Sequence, residues 1–172
     1  SIGNSLNKNT RKILYSTSEK IRDFRSMILN ETQKKELRGA LLEPQIRASL
    51  EIEGMKVRQR HTTEILKIGK MSDEIKHIDH AQEVINLSDT ISLIENKKSE
   101  NLSQSLVCNI HKEVQKEILP IDQAGFFRRS SVRVTGAKIS PPNYQKLPEL
   151  MIDLSSKLEN SEEKDPIVLS VW

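Results

Sequence analysis

The sequence predicts a mainly α-helical bundle interrupted by one small β-hairpin. Three observations lead there. Glycine is scarce, at six of 172 residues. Apolar residues recur at three- and four-residue steps in four stretches, the spacing of one helix face. Between Pro120 and Pro142 the period changes to two, the spacing of one strand face.

In chain order, Leu37, Leu41, Leu42, Ile46 and Leu50 make the first stripe. Pro44 is expected to divide it, ending one helix and opening a shorter one, because proline disfavours the helical conformation of the residue before it. Gly54 stands where a helix C-terminus favours positive φ. Val84, Leu87, Ile91 and Ile94 form the second stripe. Val107, Ile110, Val114 and Ile118 form the third, with Ser103 placed to cap it. Leu147, Leu150, Met151, Leu154 and Leu158 form the fourth, and Pro148 is tolerated there because it falls in the first turn.

The hairpin is read from Val132 and Val134 alternating with Arg133 and Thr135. Gly136 and Ala137 supply the turn, Lys138 and Ile139 a short return, and Pro141-Pro142 a stop. A lone two-stranded hairpin is marginal in water, so it is expected to lie on the helices or to meet a partner. Before it, Asp122 to Arg129 reads as a turn followed by aromatic residues. Residues 159–165 are a polar loop. The apolar run Ile167 to Trp172 is still open at the last residue, and Ser1 stands where an initiator Met would. Together these lead to the expectation of a fragment, against the plainer reading of a short C-terminal helix.

Composition narrows the function classes. Lys plus Arg number 27 and Asp plus Glu 24, a formal net charge of +3. The surplus lies in residues 1–60, where basic residues are interspersed with acidic ones; this is the pattern of a solvated helix surface and gives little support to nucleic-acid binding. Only six aromatics occur, too few for a base-stacking platform. No apolar run reaches the length of a membrane span, and no secretory signal is visible. Cys108 is the sole cysteine, which excludes an internal disulfide and agrees with a cytoplasmic setting.

No complete catalytic constellation is present. His77 and His80 share an i, i+3 spacing that suits one metal, but no third ligand has a recognisable spacing, so a solvated helix face is the better reading. His111 beside Ile110 and Val114 reads as a boundary histidine, and Cys108 as a small core residue. Six dispersed glycines make no phosphate-cradling loop.

Two local patterns stand out. In Ser49-Leu-Glu-Ile-Glu53-Gly54, Ser49 and Glu53 share a face, and Glu53 sits in a last helical turn, where a carboxylate opposes the helix dipole. In Gly125-Phe-Phe-Arg128, the glycine allows a close turn, Phe127 anchors it, and Arg128 is placed to bridge backbone carbonyls or a carboxylate.

Taken in order, these patterns resemble the Fic (Fido domain) family from about Leu37 to Trp172. Ser49-x-x-x-Glu53-Gly54 resembles the family's inhibitory-helix motif. Leu102-Ser103 through Ile110-His111 is similar to its Leu-Ser…Leu-His helix, and Gly125-Phe126-Phe127-Arg128 to its Gly-x-Tyr/Phe-Arg. Val132 to Ala137 with Pro141-Pro142 resembles the flap hairpin, and Leu147-Pro148-Glu149-Leu150-Met151 the helix after it. The catalytic signature His-Pro-Phe-x-x-Gly-Asn-Gly-Arg occurs nowhere in the 172 residues. The resemblance thus implies a Fic-like helical bundle with a flap, incomplete at its C-terminus. Residues 1–70 would form an N-terminal region with the inhibitory helix, and 71–172 the front part of the core.

The family transfers AMP from ATP to hydroxyl side chains of target proteins, with Mg²⁺. No catalytic residue, cofactor site or metal site can be assigned here, so ATP and Mg²⁺ are implied only for a complete member, and the chain alone is expected to be inactive. Glu53 would pair with an Arg of the absent signature and obstruct ATP placement, and the flap would hold a target peptide by strand addition. A homo-oligomer is compatible with the sequence, and membrane partners are not indicated. The alternative is a non-enzymatic helical interaction or antitoxin-like module. A flap is useful only beside an active site, so the hairpin discriminates between the two.

Overall fold

The computed structural model of the chain describes residues 8–97, 100–136, 138 and 140–161. It is mainly helical. Among the described residues six helices follow in order: α1 (Lys8–Ser26), α2 (Glu31–Ile52), α3 (Gln59–Ile68), α4 (Ala81–Asn96), α5 (Gln104–Val114) and α6 (Leu147–Glu159), the last entered through a 3₁₀ turn at Tyr144–Lys146. Among the described residues no helix is long and apolar enough to cross a membrane.

Local chemistry sets most helix ends. Asn30 caps α2 through a reciprocal box: its side chain accepts from the Gln33 amide at 2.9 Å, and Gln33 Oε1 accepts from the Asn30 amide at 3.1 Å. At the other end Gly54 takes φ +81°, as the sequence suggests. Its N–H donates to Glu51 O at 3.0 Å, and the Met55 N–H donates to Leu50 O at 2.9 Å, a complete Schellman closure. Gly69 ends α3 in the same left-handed region. Ser103 caps α5 by accepting from the Leu106 amide, and Pro148 lies in the first turn of α6.

Three expectations need correction. Pro44 does not divide the first stripe; it lies inside the continuous 22-residue α2. A proline deprives only the carbonyl four residues back of its donor and crowds one turn. Ile46 and Leu50, both fully buried, hold the helix to the core on the far side of that defect. The hairpin is not formed: among the described residues there is no strand, and 131–134 run exposed and unpaired into a turn at Thr135–Gly136. The return arm has three residues, Lys138 to Ser140, before Pro141-Pro142, which lack N–H groups, so too few amides remain for a ladder. Ala137 and Ile139 lie outside the described residues. Ile118 also falls beyond α5, which ends at Val114.

The core is built by α2, α3, α4 and the turns between α3 and α4. Ile46, Leu50, Ile65, Ile75 and Val84 are its most enclosed members, with Met55, Leu87 and Ile91 packed against them. The cluster draws on both sides of residue 70. Helices α5 and α6 contribute no fully buried residue. Helix α5 lies along α4, and α6 rests on α5.

Candidate functional site

Ser49 and Glu53, one turn apart at the C-terminal end of α2, line a groove of about 420 Å³. Leu50 and Met55 belong to the same wall. Across from them stand Glu83 and Leu87 of α4, and Val114, Gln115 and Ile118 from the end of α5 and the turn after it. The floor is therefore apolar and two carboxylates lie on its rim. Glu83 is engaged by His80, whose Nδ1 lies 3.2 Å from its Oε1. Glu53 is exposed and forms no ion pair with any described residue. Neither Lys56 nor Arg58, the basic residues nearest in sequence, engages it.

The opposite wall is fixed by Asn86, which the sequence reading missed. It is 1 % exposed. Its Nδ2 donates to Val114 O at 3.0 Å and to Lys116 O at 2.7 Å, and its Oδ1 accepts from Gln82 Nε2 at 2.8 Å. One side chain thus ties α4 to the end of α5 and satisfies two carbonyls that a helix C-terminus leaves without partners. The available signal was an amide side chain between Ile85 and Leu87, inside an otherwise apolar stretch.

The second pattern behaves as its residue types suggest. Gly125 takes φ +84°, and its N–H donates to His111 Nδ1 at 3.0 Å. A Cβ at this position would stand 2.8 Å from Lys112 Cβ and 3.0 Å from Cys108 O, so only glycine fits. Phe127 is half-buried. Arg128 bridges backbone carbonyls: its guanidinium donates to Ser130 O at 2.8 Å and also to Pro142 O. It thereby clasps the two ends of the 130–142 segment. Arg129 lies over the Phe126 ring at 6.0 Å.

The structure does not bring the two patterns together. None of Gly125, Phe127 and Arg128, nor Val132 to Gly136, lines the Ser49–Glu53 groove. Val132, Arg133, Val134 and Thr135 are exposed. His77 and His80 lie in turns, not on a helix face; His77 is exposed and His80, at φ 63°, starts α4. Cys108 is half-buried, short of a core position. Among the described residues no group of three His, Cys, Asp or Glu could hold a metal ion.

The charged side chains that line the groove, Glu53 and Glu83, have one sign, although the first turn of α4, which bears Glu83, brings a partial positive helix end to it. The C-terminal ends of α2 and α5 both border it, and a helix C-terminus carries partial negative charge. The Glu53 and Glu83 carboxylates add to that. Such a site suits a guanidinium and disfavours a phosphate. No family model matches the chain, and no curated protein or solved structure matches it either.

Proposed function

We propose that these 172 residues belong to a Fic-type protein adenylyltransferase whose catalytic signature lies outside them, and that the end of α2 restrains that activity. The observation that carries the reading is Glu53: a carboxylate without an ion-pair partner among the described residues, at a helix C-terminus, on the rim of a groove whose charged lining residues are Glu53 and Glu83. Its charge is mildly unfavourable there, by about 0.3–1 kcal/mol for an exposed site. An arginine entering the groove would relieve it, and the carboxylate–guanidinium pair can be bidentate. By the resemblance, that arginine is the signature residue needed for ATP placement, so pairing with Glu53 withholds it. Ser49, one turn earlier on the same wall, is placed to orient the entering group.

ATP and Mg²⁺ fit none of the groups described. The groove repels phosphate, and no carboxylate or histidine cluster suits a cation of that kind. In this proposal those ligands belong with the signature. The exposed segment 131–136 offers unpaired backbone to a hydroxyl-bearing target protein, in keeping with a flap that gains its pairing from the target. The unformed hairpin equally favours the second reading, a non-enzymatic helical module that acts on a partner through the Ser49–Gly54 end of α2.

The test is an AMP-transfer assay with labelled ATP and Mg²⁺ on the full-length product of the gene, compared with its Glu53→Gly variant. Faster transfer by the variant is expected. Equal or slower transfer would make Ser49–Gly54 an ordinary helix end, and a full-length product without the signature would turn the proposal toward the interaction module.

A further inference from the structure

Helix α1 has an apolar stripe that its own chain does not cover. Ile13, Thr17, Ile21 and Phe24 recur at helical spacing on one face. Ile13, Ile21 and Phe24 are 59, 38 and 49 % exposed, and Met27 and Ile28, just past the helix end, are 60 and 100 % exposed. Among the described residues α1 packs along no other helix. A 19-residue helix without tertiary packing is marginal in water, so this face lacks a cover.

Charge selects the cover. Of the 27 basic and 24 acidic residues in the chain, α1 holds six and two, which leaves 21 and 22 for all the others. The positive charge of the molecule is therefore the charge of this helix. Its two acidic residues, Glu19 and Asp23, are one turn apart and stand away from the stripe, whereas Lys20 lies at its edge. A helix of low overall hydrophobicity, apolar on one face and basic on the other, is the form that lies in the plane of a lipid interface.

We propose that α1 docks on an anionic lipid bilayer, with Ile13, Ile21 and Phe24 at the boundary of headgroups and acyl chains and its basic residues facing lipid phosphates. The stripe from Ile13 to Phe24 runs about 16 Å along the helix axis, so the helix lies flat on the surface. No spanning helix is needed for this, and none is present among the described residues. Other covers fit less well. The groove between α2 and α4 carries Lys34 and Arg38, and its one carboxylate, Glu95, already pairs with Arg38, so it repels a basic helix from a second copy. A nucleic acid would meet the basic side and leave the stripe in water. A bilayer serves both sides and requires no shape match. The inference does not rest on the enzymatic reading.

The experiment is co-sedimentation of the 172-residue chain with vesicles of phosphatidylcholine alone and of phosphatidylcholine mixed in equal parts with phosphatidylglycerol. Binding to the mixed vesicles is expected to be at least about tenfold tighter and to weaken as salt screens the surface. Lys12→Glu combined with Lys20→Glu cancels the excess charge of α1 and should cost at least about tenfold on the mixed vesicles. Ile21→Asp should reduce binding to background. These positions lie outside the α2–α4 core, and circular dichroism checks that the other helices persist. If Ile21→Asp melts α1 itself, Ile21→Gln keeps the helix and should still weaken binding severalfold. No binding, equal binding to the two kinds of vesicle, or binding that survives both Ile21 variants overturns the proposal, the last because it would be adsorption by charge alone. So does a chain that ignores vesicles but binds an oligonucleotide or an acidic protein through α1.

Discussion

Gly125 and His111 hold each other in place: the glycine N–H is donated to the imidazole Nδ1 at 3.0 Å, while the glycine backbone packs against the α5 turn that bears the histidine. The bond fixes the tautomer, since an accepting Nδ1 leaves the ring proton on Nε2. It also sets where the chain leaves α5 for the 126–143 segment.

Gly125→Ala should therefore be severe. The new Cβ adds left-handed strain to a 2.8 Å contact with Lys112 Cβ, together about 2–4 kcal/mol. Gly54→Ala is the control. Its φ is also positive, but nothing lies within 4 Å of the added Cβ, so about 1–2 kcal/mol is expected. Urea unfolding of both variants checks the order; equal costs would mean that the Gly125 contact relaxes freely.

His111→Leu keeps the bulk but removes the acceptor. The Gly125 N–H then loses its partner in a half-buried place, at a cost of about 1–3 kcal/mol. Amide exchange at Gly125 should accelerate more than exchange in α2, and uniform acceleration would argue against a local lock.

Asn86→Leu should cost about 2–4 kcal/mol, because the carbonyls of Val114 and Lys116 lose their common donor. The expected signature is local: amides near the end of α5 lose protection first. Wild-type stability in this variant would show that water replaces the side chain.

Pro44→Ala should stabilise the chain by about 1–3 kcal/mol, since Pro44 is exposed and the variant restores a helical N–H inside α2. A higher thermal midpoint is the expected readout. A lower one would mean that the helix has been shaped around the ring.

The chain itself, residues 1–172, should transfer no AMP to lysate proteins or to itself with ATP and Mg²⁺, because the signature His-Pro-Phe-x-x-Gly-Asn-Gly-Arg does not occur in it. Labelling that survives Glu53→Gly and Ser49→Ala would point to chemistry elsewhere in the chain.

Features governed by near neighbours were legible in the sequence. Gly54, Ser103 and Pro148 each do what their backbone preferences imply, and Arg128 reaches carbonyls as its position after the turn suggested. Features governed by distant partners were not. Pro44 stays helical because Ile46 and Leu50 are buried beyond it. The hairpin needs cross-strand amides that Pro141-Pro142 cannot supply. The partners of Asn86 are 28 and 30 residues away in the chain, a distance no local pattern reveals. Helices α1 and α3 went unforeseen as well, although Thr62, Ile65 and Ile68 before Gly69 carry a helical period and stop. In the groove, the α2 wall with Ser49 and Glu53 was readable. The facing wall of Glu83, Leu87 and Val114 depends on how α4 and α5 pack.

Because the buried cluster ends with α4 while α5 and α6 hold no buried residue, the chain has two tiers of persistence. The α2–α4 unit should survive excursions in which α5 and α6 swing away and return, with the Asn86 amide as the latch between them. Such openings cost far less than global unfolding and set the order in which parts of a protein meet proteases and partners. The Ser49–Glu53 groove is walled by α2 and α4 on the first tier and by Val114, Gln115 and Ile118 on the second. It would widen and close with every such excursion, so whatever occupies it also decides how often the two tiers part.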